Sequence, residues 1–256
     1  MAKPLSIITA ILRFFPVLNA QFFERIAGES PYKSPTDMGV NMAGNCIIED
    51  DVCRRASEQE IIRRYYHALC DQKQGRVDEA AVYKVELLMN QAGVSTHDRA
   101  VASSALARAE ETGLPASAIE LPDGRIITGK TSPLLGASAA VLLNALKALG
   151  GIQHDILLIS PIIIEPIPKF AKPSTFGENH NPRLHSDEVL IALCISAATN
   201  PTAELAMKQL AKLKGCEAHS SVILSQVDDS VFRKLGMNLT CEARYQSQKS
   251  LPQMTQ

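Results

Sequence analysis

The chain has 256 residues, 46% of them hydrophobic and 21% charged, with 26 basic side chains against 27 acidic ones. It is long enough to bury a substantial core and to divide into two subdomains. The near balance of charge excludes the strong positive field that non-specific nucleic-acid or anionic-membrane binding needs, so neither a nucleic-acid nor a membrane partner is expected.

The start, MAKPLSIITAILRFFPVLNAQ, carries a short apolar run that Arg13 and Pro16 interrupt. That run is far below the roughly 20 residues that span a bilayer, so residues 1–14 read as an apolar start and not as a secretion signal. From 15 to 114 the pattern is helical. Phe15, Leu18, Phe22, Phe23 and Ile26 recur at helical spacing up to Gly28, and the loop SPYKSPTDMGVN follows. Ser57 with Glu60 forms a capping-box pattern that predicts a helix ending near Gly75, with Ile61, Tyr65 and Leu69 on one face. Val82, Val85, Leu88 and Met89 mark a second helix closed by Gly93. Ser95 and Asp98 repeat the capping pattern ahead of a third helix, stopped by Gly113. Short connections make these an antiparallel helical subdomain.

After Pro115 the pattern becomes mixed. SAIELPDGRIITGKT reads as a hairpin around Pro122-Asp123-Gly124, followed by an apolar helix from about Ser132 to Leu149. ILLIS (156–160) and SVILSQ (221–226) have the composition of buried strands. Helices are expected over 186–198, 201–214 and 228–235, and a last strand over 238–243. The order predicts a mixed α/β (α+β) subdomain from 115 to 245, with a mixed sheet covered by helices, and a polar tail over 246–256. Cys46, Cys53, Cys70, Cys194, Cys216 and Cys241 include no C-x-x-C pair, which favours free thiols and a cytoplasmic location.

GRIITGKT (124–131) fits the pattern G-x-x-x-x-G-K-[ST] of a phosphate loop. However, Gly124 already belongs to the hairpin turn, and two adjacent isoleucines suit a strand better than a loop that wraps phosphate. A weaker form keeps Lys130 and Thr131 at the amino end of the following helix, where amides and a lysine hold an anion; Thr131 or Ser132 serving only as the N-cap is the alternative. ENHNPRLHSDEVLIAL packs His180, Arg183, His185, Asp187 and Glu188 before and within a helix start, a set suited to proton exchange, metal ligation or simple interaction with the helix dipole. Cys216 and His219 would form a zinc-compatible set with His185 if the three met. Lys33, Ser34, Thr36, Asp37 and Asn41 make a polar loop fit for ligand binding or for a plain linker. H-E-x-x-H and G-x-S-x-G are absent, so neither protease nor nucleophile-elbow chemistry is supported.

FPVLNAQFFERIAGESPYKSPTDMGVNMAGN, AIELPDGRIITGKTSPLLGASAAVLLNALKAL, NPRLHSDEVLIAL and GCEAHSSVILSQVDDSVFRKLGMNLTCE resemble the C-terminal half of a bacterial family, domain-of-unknown-function family 1846, whose members are roughly double this length. The resemblance runs from about Phe15 to Tyr245. It implies a helical subdomain followed by a layered α/β subdomain with an architecture like that of cytidine deaminases. It brings no deaminase chemistry, because His185-Ser-Asp-Glu188 is not H-x-E and no P-C-x-x-C follows. MAKPLSIITAIL stands where full-length members have an N-terminal half, so the chain is expected to be a truncated C-terminal portion.

The expected function is that of an enzyme domain, of hydrolase or transferase type, that binds a small anionic or phosphorylated ligand. Lys33, Ser34, Thr36, Asp37, Asn41, Lys130, Thr131 and Arg183 would bind the ligand, and His185, Asp187, Glu188 and His219 would move protons. No cofactor is identified. The alternative is a non-catalytic module that packs on the N-terminal half or on a second copy of itself, forming a homo-oligomer.

Overall fold

The computed structural model describes residues 49–167 and 183–246. Helices α1 (Asp50–Lys73), α2 (Glu79–Ala92) and α3 (Ala100–Thr112) come first. Asp78 caps α2 by accepting the Ala81 amide, and Gly93 and Gly113 end α2 and α3 in the left-handed conformation, as the sequence predicts. The start of α1 differs. The helix runs through Ser57, whose hydroxyl donates to the Cys53 carbonyl, while Glu60 pairs forward with Arg63 and Arg64. The Ser95–Asp98 box does form, on a short 3₁₀ turn at Thr96–Asp98 that leads into α3.

The hairpin is β1 (Ala116–Glu120) and β2 (Ile126–Lys130), closed where Gly124 takes a φ of +82°. The chain continues through α4 (Ala137–Gly150), α5 (Pro161–Ile164), α6 (Ser186–Ala197) and α7 (Pro201–Met207). It ends with β3 (Glu217–Ser220), α8 (Gln226–Lys234) and β4 (Asn238–Cys241). Two expected strands are absent. ILLIS lies between the α4 cap and Pro161 and buries only Leu158 and Ile159, as an irregular plug in the core. The strand expected at SVILSQ lies upstream, at Glu-Ala-His-Ser, where Ala218, His219 and Ser220 find pairing partners on both sides. Strand composition is a weak signal when tertiary pairing sets the register.

The four strands form one mixed sheet in the order β2-β1-β3-β4, with β1 antiparallel to β2 and β3, and β3 parallel to β4. Register assigns the faces. Ile119, Ala218 and Leu239 join the main core with Leu142 and Leu146 of α4, Val189 and Leu193 of α6, and Phe232 of α8. Ala118, His219 and Thr240 face the other way, towards α1 and α3. The molecule is therefore a mixed α/β sandwich of helices, sheet and helices. Among the described residues no helix is long and apolar enough to cross a membrane.

Helix α4 begins five residues later than the sequence predicts. A Cβ added to Gly129 would lie 2.2 Å from the Val141 amide nitrogen, so the glycine of GRIITGKT exists to let α4 lie directly on β2. A Gly129→Ala substitution should lower the unfolding free energy by about 1–3 kcal/mol or more through overpacking. An unchanged urea midpoint would contradict this account of the motif.

Candidate functional site

The starts of α4, α6 and α8 converge at the edge where the parallel strands β3 and β4 end. The Leu184 amide donates to the Leu134 carbonyl at 2.8 Å, and the Gly136 amide to the Leu184 carbonyl at 3.2 Å, which ties the approach to α6 to the start of α4. The Arg183 Nε donates to the Ser132 carbonyl at 2.9 Å. These bonds bring the segment after GRIITGKT against the described part of the second stretch, Arg183 to Glu188, so that two of the three stretches singled out in the sequence meet. The third, with Lys33, Ser34, Thr36, Asp37 and Asn41, lies outside the described residues.

Asp228, in the first turn of α8, is the hub of this edge. Its Oδ1 accepts the amide and the hydroxyl of Ser186, at 2.8 and 2.7 Å; its Oδ2 accepts the Ser225 hydroxyl at 2.8 Å and lies 3.0 Å from Nδ1 of His185. Burial alone would raise its carboxyl pKa, but the bonds from His185, Ser186 and Ser225 outweigh it and hold the group well below the usual carboxylate range. An ionised Asp228 accepts from His185 Nδ1, which places a proton on that nitrogen. Ser225 caps α8 by accepting the Asp228 amide, and Glu188 caps α6 by accepting that of His185. Asp187 bonds the Glu188 amide, so both acidic residues stabilise the helix start.

The remaining candidates are dispersed. Lys130 is exposed on the edge strand β2, not at a helix start, and Thr131 is buried with its hydroxyl donated to the Pro115 carbonyl. His219 is fully buried in β3, beneath the ring of Tyr66. The expected metal set of His185, Cys216 and His219 does not assemble. Residues three apart on a strand point to opposite faces, so Cys216 enters the main core while His219 faces α1. No group of three or more potential ligands occurs among the described residues.

His219 belongs to a buried polar network. Arg99, 1% exposed, donates from Nε to Thr240 Oγ1 and from one terminal nitrogen to the carbonyls of Ala218 and Asn238; its other terminal nitrogen pairs with Glu217. Thr240 Oγ1 lies 2.8 Å from His219 Nδ1, and Glu242 Oε1 lies 3.3 Å from Nε2, too poorly aligned for a hydrogen bond. Burial dominates and pushes the His219 pKa below the usual histidine value, against the raising effect of Glu242. Clefts of about 720 and 930 Å³ open beside this network, at opposite ends of the parallel pair, and neither is lined by His185 or Asp228. Within them Arg99 pairs with Glu217, Asp71 with Arg76 and Arg233 with Asp229; the His185 edge is distinguished instead by an imidazole held against a buried carboxylate.

Comparison with known proteins places the chain. The C-terminal model of the domain of unknown function DUF1846 matches residues 97–251, and the N-terminal model of the same family matches residues 10–93. The chain belongs to this family. The match to both models corrects the expectation of a resemblance to the C-terminal half alone. A UPF0371 protein of Streptococcus thermophilus is 53% identical over 238 residues, covering 93% of this chain and 48% of the relative. UPF0371 proteins of Streptococcus pyogenes serotype M5 and of Streptococcus uberis are 54% identical over the same length. The chain spans about half the length of the curated relatives it matches.

Asp228 and Ser225 escaped the sequence reading. Ser225-Gln-Val-Asp228 is itself a helix-start pattern, but its partner His185 lies 43 residues away and nothing local connects the two. Two buried groups with shifted pKa values, His219 and Asp228, contribute to the acid stability. His219 has a folded pKa below its unfolded value near 6.5, so the unfolded chain takes up the proton first and stability falls as pH drops below about 6.5. Asp228 adds stability above its unfolded value near 3.9, and this is lost as pH falls from there towards its lower folded value. Urea midpoints measured from pH 8 to pH 2 should therefore fall in two stages. The first should shrink in His219→Gln and the second in Asp228→Asn; identical profiles in all three proteins would contradict the assignments.

Proposed function

We propose that the chain is a domain of an enzyme in which His185 moves a proton to or from a small anionic substrate. One observation carries this reading: the 3.0 Å contact between His185 Nδ1 and an Asp228 carboxylate held ionised by Ser186 and Ser225. A carboxylate in that position fixes the tautomer, orients the ring and stabilises the imidazolium formed when Nε2 takes a proton. His185 is about a quarter exposed and borders solvent, unlike the enclosed His219. Arg183, two residues before it, is buried at the same edge, where its Nε donates to the Ser132 carbonyl and its guanidinium adds positive charge. Hydrolysis or group transfer is the matching reaction type. Turnover is to be sought with a panel of small phosphate monoesters near pH 7. His185→Gln and Asp228→Asn should each lower kcat by about a hundredfold or more, with the folded state checked by circular dichroism. Rates equal to the parent chain in both variants would remove the proposal.

A second reading, an oligomerisation module, is favoured by α6 itself. Its buried stripe is Val189, Ala192, Leu193 and Ser196, yet Ile191 and Ile195 are 61% and 60% exposed with Cys194 between them. A helix apolar all round suits a second partner on its outer side. In this reading that partner is another copy of the chain. Sedimentation over a concentration series should then show self-association that Ile191→Glu with Ile195→Glu abolishes, and a strict monomer throughout would exclude it.

A further inference from the structure

The start of α4 is buried, and its first amides have no hydrogen-bond partner among the described residues. Ala137, Ser138 and Ala139 are 6%, 2% and 0% exposed. Gly136 stands at the N-cap with no side chain to offer, and the first bond into the helix is from the Ala140 amide to the Gly136 carbonyl. None of the three preceding amides meets an acceptor among the described residues. A buried helix start needs a side chain, water or ligand to satisfy these groups.

An independent feature points to the same place. Ser117 in β1 is 1% exposed, and its buried hydroxyl has no partner. It stands directly opposite Gly129 in the β1–β2 register, so the two residues project to the same face of the sheet. The direction of that face is known, because the missing Gly129 side chain would run into the backbone of Ala140 and Val141. Ser117 is therefore aimed at the first turns of α4. An unpaired buried hydroxyl on the face that α4 covers, together with unpaired amides at the start of that helix, is costly in an apolar core and suited to an oxyanion.

We propose that the amides of Ala137, Ser138 and Ala139, with the Ser117 hydroxyl, bind a phosphoryl group of the substrate. Every group in the set is a donor, and the helix dipole adds positive potential for a dianion. Glycine at the N-cap lets the oxygens approach the backbone closely. The place is the carboxyl edge of the parallel pair β3–β4, where helix starts meet ligands in α/β sheets. The Gly136 amide bond to the Leu184 carbonyl sets the site beside His185. A phosphoryl group with three terminal oxygens uses more of these donors than a carboxylate with two. The inference extends the proton-transfer reading by naming the substrate class, but the anion site stands on its own residues.

The test is a titration of the full chain, labelled with ¹⁵N, with inorganic phosphate, and in parallel with acetate. Saturable shifts are expected at the amides of Ala137, Ser138 and Ala139, with phosphate binding more tightly than acetate. Ser117→Ala should weaken phosphate binding about tenfold. Without phosphate the same variant should be at least as stable as the parent, since it removes an unpaired hydroxyl. His185→Gln should keep the phosphate midpoint. No shift at α4, equal midpoints for phosphate and acetate, or an unaffected Ser117→Ala variant would each overturn the proposal. Normal phosphate binding together with full turnover in His185→Gln would instead overturn the proton-transfer reading and leave the anion site standing.

Discussion

The guanidinium of Arg99 is the interaction on which the layered arrangement depends. It enters the helix–sheet interface from the start of α3 and binds the carbonyls of both parallel strands, Ala218 in β3 and Asn238 in β4. Its ion pair with Glu217 also engages Arg63 of α1, and Gln59 of α1 adds a further bond. One side chain thus joins α1, α3, β3 and β4. Such a charge is tolerable in the interior only because every direction of the planar fork is met. Removing one partner leaves the other desolvated, at a cost of roughly 3–5 kcal/mol for a buried pair. The interaction also crosses from the segment matched by one family model to that matched by the other, since Arg63 lies within 10–93 and Arg99 within 97–251.

Asp228 performs a comparable service on the opposite side of the sheet, with a different consequence. Its carboxylate stands at the starts of two helices, its own α8 and, through Ser186, α6. Two positive dipole ends facing each other would repel; an anion between them converts the conflict into a joint. The same carboxylate sets the proton on His185, so one group serves both packing and chemistry. The arrangement explains why His185 and His219 differ so sharply. One is oriented by a carboxylate at a partly open edge, and the other is enclosed between Tyr66 and Thr240 and kept neutral by burial.

The glycines and β-branched residues of GRIITGKT illustrate how a motif changes meaning in context. Gly124 serves a turn with positive φ, Ile126 and Ile127 pair in a strand, and Gly129 clears space for a helix backbone. None of these duties involves a phosphate, although the spacing matches a phosphate loop. The amides with unmet donors lie further on, at Ala137 to Ala139, where the sequence PLLGASAA carries no recognised signature.

The sequence by itself determined the class of the fold, the helix ends at Gly93 and Gly113, the hairpin at Pro122-Asp123-Gly124 and the polar helix start around His185. Each rests on contacts within a few residues, where backbone preference and capping are decided locally. Only the tertiary structure decided that Glu-Ala-His-Ser is a central strand and that ILLIS is not a strand, since pairing partners come from distant segments. It also decided that His185 meets Asp228, that Cys216 and His219 face opposite ways, and that Arg99 is buried. These outcomes depend on strand register and on burial, which bring together side chains separated by as many as 154 residues. Local periodicity carries no information about such meetings, because it records which face a residue occupies and not which residue will face it.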